Sequence, residues 1–75
     1  MGKTMKEFAV VYEYGPGNWS AYVPDLPGCV SVGDTLEETE RNIREAIELH
    51  IEVMQEHGEV VPVPTTVTGH VLVAA

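Results

Sequence analysis

Apolar and polar residues alternate from Glu7 to Tyr14, which predicts a first strand. Phe8, Val10, Tyr12 and Tyr14 share its mostly apolar face; Glu7, Ala9, Val11 and Glu13 share the mixed one. Gly15-Pro16-Gly17-Asn18 breaks the pattern with turn chemistry. Trp19–Val23 predicts a second short strand, so the two runs read as a hairpin. Pro24-Asp25-Leu26-Pro27-Gly28 comes next. Two prolines three apart cannot both serve as ladder donors inside a central strand. Each also pushes the residue before it, Val23 or Leu26, toward extended geometry. Gly28 tolerates the positive φ of a tight turn. The segment therefore reads as a stiff corner with Leu26 as its plug into the core, and Cys29–Gly33 follows as a third strand.

The apolar period then changes to that of a helix. Thr35 with Glu38 fits a capping box, and Asp34 with Glu37 fits almost as well. A helix is expected from about Leu36 to His57, stopping at Gly58. Leu36, Ile43, Ile47, Ile51 and Met54 form one apolar stripe. Leu49 and Val53 lie off it and are candidates either for an interface with a second subunit or for packing under the C-terminal loop. Val60–Thr65, with Pro62 and Pro64, reads as an extended connector. Thr66–Ala74 reads as a last strand with Val67, Val71 and Val73 on one face. The expected fold is a two-layer α+β domain of order β-β-β-α-β, with one long helix on a four-stranded sheet. The other sheet face stays open for a partner.

Composition narrows the setting. Seventy-five residues suit one domain, with a core over about residues 7–73, and leave little stability margin, so oligomerisation is an expected extra support. A single cysteine, Cys29, excludes an internal disulfide and a multi-cysteine zinc cluster. No apolar run approaches the roughly 20 residues of a membrane helix. Met1–Lys6 has basic residues without the apolar core of a signal peptide, so the cytoplasm is the expected location. The net charge of −8, from twelve acids and four bases, disfavours direct nucleic-acid binding. It suits encounter with a basic partner, or simply dispersal in water.

The run A-Y-V-P-D-L-P-G-C (Ala21–Cys29), then G-D-T-L-E-E (Gly33–Glu38), N-I-R-E-A-I-E-L-H (Asn42–His50) and G-E-x-x-P-x-P (Gly58–Pro64), resembles the N-terminal domain of HicB-type antitoxins. The resemblance spans roughly residues 7–73. It implies a partial ribonuclease-H-like β-β-β-α-β fold, homo-oligomers (dimer or tetramer), and binding of the small basic toxin HicA, an RNA-cleaving domain whose active site the antitoxin blocks. An acidic antitoxin against a basic toxin agrees with the charge. Many such antitoxins carry a second, DNA-binding module. Here the sequence ends at Ala75 with no basic helix to enter a groove, so no C-terminal DNA-binding domain is expected.

Candidate chemistry is sparse. On a ribonuclease-H-like fold, Glu7, Glu13 and Asp25 are the candidates for a metal-binding carboxylate set, and a metal-dependent nuclease or hydrolase is the alternative function. Glu7 and Glu13 lie about 20 Å apart along a strand, too far to share an ion. Cys29 with His50 as base is a conceivable nucleophile pair, but a lone cysteine at a strand start more often packs as a small hydrophobe. His50 and His57 stand two turns apart, about 10 Å, which is long for one metal. No catalytic, cofactor or metal site is therefore expected. The aromatic cluster is more informative. Tyr12 suits the core, whereas Trp19 and Tyr22 suit an interface, because such side chains bury area at low entropy cost. Trp19, Tyr22 and Asp25 are the candidate partner contacts; Leu49 and Val53 are the candidate oligomer contacts. The expected function is occlusion of a HicA-type toxin by binding, without enzymatic activity. An oligomeric scaffold without a toxin is a further alternative.

Overall fold

A helix, α1 (Leu36–Glu56), begins where Thr35 turns its backbone from extended to helical. The Thr35 hydroxyl accepts from the Glu38 amide at 3.1 Å, while the Glu38 carboxylate accepts from the Asp34 amide at 3.5 Å. The cap is therefore Thr35, and its reciprocal bond reaches one residue further back than in the usual capping box. Glu37 and Glu38 place negative charge on the positive end of the helix. At the other end Gly58 takes φ 72°. The amides of Gly58 and Glu59 bond to the carbonyls of Gln55 and Met54, at 3.1 and 2.9 Å. This glycine-terminated closure stops the helix at Glu56, with His57 as its cap. The computed structural model describes residues 5–75. Met1–Thr4, where the segment judged to lack a leader's apolar core begins, lie outside the described residues.

Three strands, β1 (Val11–Tyr14), β2 (Trp19–Tyr22) and β3 (Val30–Gly33), form an antiparallel sheet in that order. Tyr14 pairs with Trp19 and Trp19 with Gly33; Val11 pairs with Tyr22 and Tyr22 with Val30. Alternation then divides the sheet. Tyr12, Tyr14, Trp19, Ala21, Ser31 and Gly33 share the helix side. Val11, Glu13, Ser20, Tyr22, Val30 and Val32 share the open side.

The helix lies over β3 and β2 rather than β1. Gly33 makes that possible: a Cβ there would sit 2.6 Å from Thr39 Oγ1 and 2.9 Å from its amide nitrogen. Thr39 is fully buried and donates to the Thr35 carbonyl at 2.7 Å. Asn42 donates to the Val32 carbonyl at 2.8 Å, tying α1 to β3 a second time. The core consists of Ala21, Val23, Leu26, Cys29 and Ile43, flanked by Phe8, Val10, Tyr12, Ala46, Ile47 and Met54.

Two expectations need correction. The described residues form a three-stranded sheet, not a four-stranded one: Thr66–Ala74 pairs with nothing. Alternation says which face a strand would show, not which edge it joins. The chain returns to the β2–β3 corner at Thr65 and Thr66, which bond to Asp25, and runs on from there without joining a ladder. The first strand is also half its expected length. Its partner β2 ends at Tyr22, where the proline corner begins, so residues 7–10 have no ladder opposite them.

Gly33→Ala tests the close approach of strand and helix. It should destabilise the fold by about 1–3 kcal/mol through overpacking, read as a lower denaturant midpoint at unchanged slope. Unchanged stability would mean that α1 is not pressed against β3.

Candidate partner-binding surface

The corner between β2 and β3 consists of two successive turns. The Leu26 amide donates to the Val23 carbonyl at 3.1 Å, and the Cys29 amide to the Leu26 carbonyl at 3.0 Å. Each turn has proline at its second position, Pro24 and Pro27, where a fixed φ is favourable. Gly28 occupies the third position of the second turn at φ 85°, as a type II turn requires. A bond from the Val23 amide to the Cys29 carbonyl, 3.1 Å, closes the base. Leu26 points inward and is completely buried, as the sequence predicts.

Asp25 points outward from the same corner. Its Oδ2 accepts from the amides of Thr65 and Thr66 at 3.2 and 3.0 Å. Its Oδ1 accepts from their hydroxyls at 3.1 and 2.9 Å. The Thr66 amide does most to hold this carboxyl below the usual aspartate range; desolvation opposes it, and the other three bonds reinforce it. Asp25 thus clamps the end of the connector, a role the sequence did not reveal, because its partners lie 40 and 41 positions away.

The two aromatic candidates do not converge. Trp19 is half-buried on the helix side of β2 and tilts against Tyr14, with ring centroids 5.2 Å apart at 58°. Tyr22, 42% exposed, lies on the open side beside the exposed Val30 and Val32. Tyr12 is half-buried against the core. Leu49 and Val53 are exposed on α1 and line a shallow groove with Pro27, Val30 and Met54.

Cys29 and His50 line that same groove, a juxtaposition the sequence did not give. Burial raises the Cys29 thiol above its ordinary value, the opposite of activation. Among the described residues no three His, Cys, Asp or Glu side chains cluster to hold a metal. No helix among them is long and apolar enough to cross a membrane.

The sequence profile of a family described as a HicB-like antitoxin of bacterial toxin–antitoxin systems matches residues 8–73. An uncharacterized 14.9 kDa protein of Haemophilus phage HP1 is 58% identical over 40 residues, 53% of this chain and 30% of the phage protein. The match thus spans about a third of that protein's length. A UPF0150 protein of Thermoplasma acidophilum is 38% identical over 58 residues, covering 77% of this chain and 84% of its own. One of Thermotoga maritima is 39% identical over 61 residues, covering 79% and 77%.

The Asp25 clamp has a pH signature. A carboxyl whose folded pKa is depressed contributes stability above its unfolded value and loses it as pH falls through the folded one. The Thr65 and Thr66 amide resonances should therefore shift together on acidification, with a midpoint below the usual aspartate range. Asp25→Asn should remove that titration. A midpoint at or above the ordinary aspartate value would contradict the clamp.

Proposed function

The chain belongs to the HicB-like antitoxin family of bacterial toxin–antitoxin systems, and on that basis we propose that it binds a small basic HicA-type toxin ribonuclease and occludes its active site. The observation that carries this reading is the open face of the sheet. Tyr22, Val30 and Val32 are exposed there side by side, with no element of the described chain over them. An aromatic anchor among aliphatic neighbours is the kind of patch that supplies binding energy.

Charge supplies the rest. The chain carries a net −8, and Glu37, Glu45, Glu48, Glu52 and Glu56 are exposed on α1. A field of this sign draws a basic partner in and disfavours competing phosphate backbones. The role is therefore stoichiometric inhibition by contact, steric and electrostatic, rather than catalysis. It acts in the cytoplasm, where an RNA-cleaving toxin meets its substrate. Trp19 and Asp25 belong to the same reading as flanking contacts, Trp19 at the far end of β2 and Asp25 through the connector it holds. Self-association through Leu49 and Val53 is its second part, supported by their exposure beside Pro27 and Val30 on a groove of mostly apolar lining.

Calorimetric titration against a basic HicA-type toxin should give a sub-micromolar Kd. Tyr22→Ala should weaken it at least tenfold, about 1.4 kcal/mol or more. The pair Glu45→Lys and Glu48→Lys should slow association most at low salt. The absence of any complex at micromolar concentrations would sink the toxin-binding reading.

A further inference from the structure

The strand registers arrange the open side of the sheet in two cross-strand rows. Val11, Tyr22 and Val30 form one; Glu13, Ser20 and Val32 form the other. The first row is apolar apart from the tyrosine hydroxyl. The second ends on β1 in an exposed carboxylate, and Glu13 is the one charged residue among these six. By sheet geometry its Cβ lies about 5 Å from that of Ser20 and about 7 Å from those of Val11, along the strand, and Tyr22, on the diagonal. Ser20 does not meet the charge: its hydroxyl donates to the backbone carbonyl of Glu13, at 3.5 Å.

An ordinary protein interface covers about 800 Å² on each partner, more than this patch offers. A partner seated on Tyr22, Val30 and Val32 therefore covers Glu13 as well. Water then leaves the carboxylate, and a carboxylate buried without a counter-charge costs more than a few apolar contacts return. A purely apolar partner surface is thus penalised here, and one with a cation at the right place is not. Discrimination of this kind works by rejecting the wrong partner rather than by tightening the right one. The Tyr22 ring beside Glu13 offers an apolar body and a π face to the stem and head of a long basic side chain.

We propose that Glu13 is the specificity-determining residue of this face. It receives a cationic side chain, arginine or lysine, from within an otherwise apolar contact patch of the HicA-type toxin, and the stem of that side chain lies along Tyr22. This rests on the toxin-binding reading and adds to it the feature that the toxin must present. The glutamates of α1 act at a distance, on encounter; Glu13 acts only in contact. The two roles separate in the kinetics, because a steering charge changes the association rate and a desolvated pair changes the dissociation rate.

Binding kinetics of Glu13→Gln and Glu13→Ala with the HicA-type toxin, at low and high salt, are the first test. Both variants should bind at least tenfold more weakly, chiefly through faster dissociation, and the loss should persist at high salt. Unchanged or tighter binding would overturn the proposal, since removing a carboxylate that meets no cation relieves the complex. A loss confined to the association rate would overturn it too. The absence of any complex with the unmodified chain removes the toxin-binding reading and this proposal together; a normal complex that tolerates Glu13→Ala removes the proposal alone. Should the variants fail to fold, the unmodified complex still decides. A filtered NOE should link the side-chain methylenes of a toxin arginine or lysine to the Tyr22 ring. Only apolar or acidic toxin side chains at that ring would overturn it.

Discussion

Leu26 is held at the centre of the core by a loop that has almost no freedom to release it. Pro24 and Pro27 fix the second position of two consecutive turns, and Gly28 supplies the one positive φ they need. Burying Leu26 fixes its neighbours: Val23 and Cys29, at the two ends of the loop, enter the core with it. Burial recurs at every third position of the corner, Val23, Leu26 and Cys29, which leaves Asp25 on its outer side. What looks like a connection between strands is therefore the junction of the core, the sheet and the connector's far end.

A second contact, between Gly33 and Thr39, decides how the layers share the sheet. Backbone-level approach at β3 lets α1 settle close on that side and leaves Phe8, Val10 and Tyr12 on the β1 side only half-buried. The asymmetry produces two distinct apolar surfaces. The open face of the sheet carries Tyr22, Val30 and Val32. The groove beside β1 is instead a cleft along an edge that no described strand pairs. Flat apolar patches suit side-chain anchors, whereas an unpaired edge suits another strand.

Local chemistry was readable in the sequence, and long-range pairing was not. The Thr35 cap, the Gly58 stop and the proline corner each depend on a few adjacent residues, and each lies where the residue types demand. The candidate surface was only partly legible. Tyr22 stands exposed, but Trp19 falls on the opposite side of β2, because three positions along a strand is an odd number. The hydrogen bonds of Asp25 to Thr65 and Thr66, and the shared groove of Cys29 and His50, span long loops with no periodic signal to announce them. The fate of residues 66–74 was hidden for the same reason. Their alternation is that of a strand, but alternation carries no information about the neighbour.

The exposed arm after the Asp25 clamp also bears on how long the molecule lasts. A protease accepts its substrate as an extended segment free of regular hydrogen bonds, and chain segments of that description are where nicking concentrates. Residues 66–75 offer such a segment without any prior unfolding. Cleavage there requires no opening of the core, so the lifetime of the arm does not follow the global stability of the fold. A nick after the Asp25 clamp would remove the valine-rich tail and leave the core and the sheet whole.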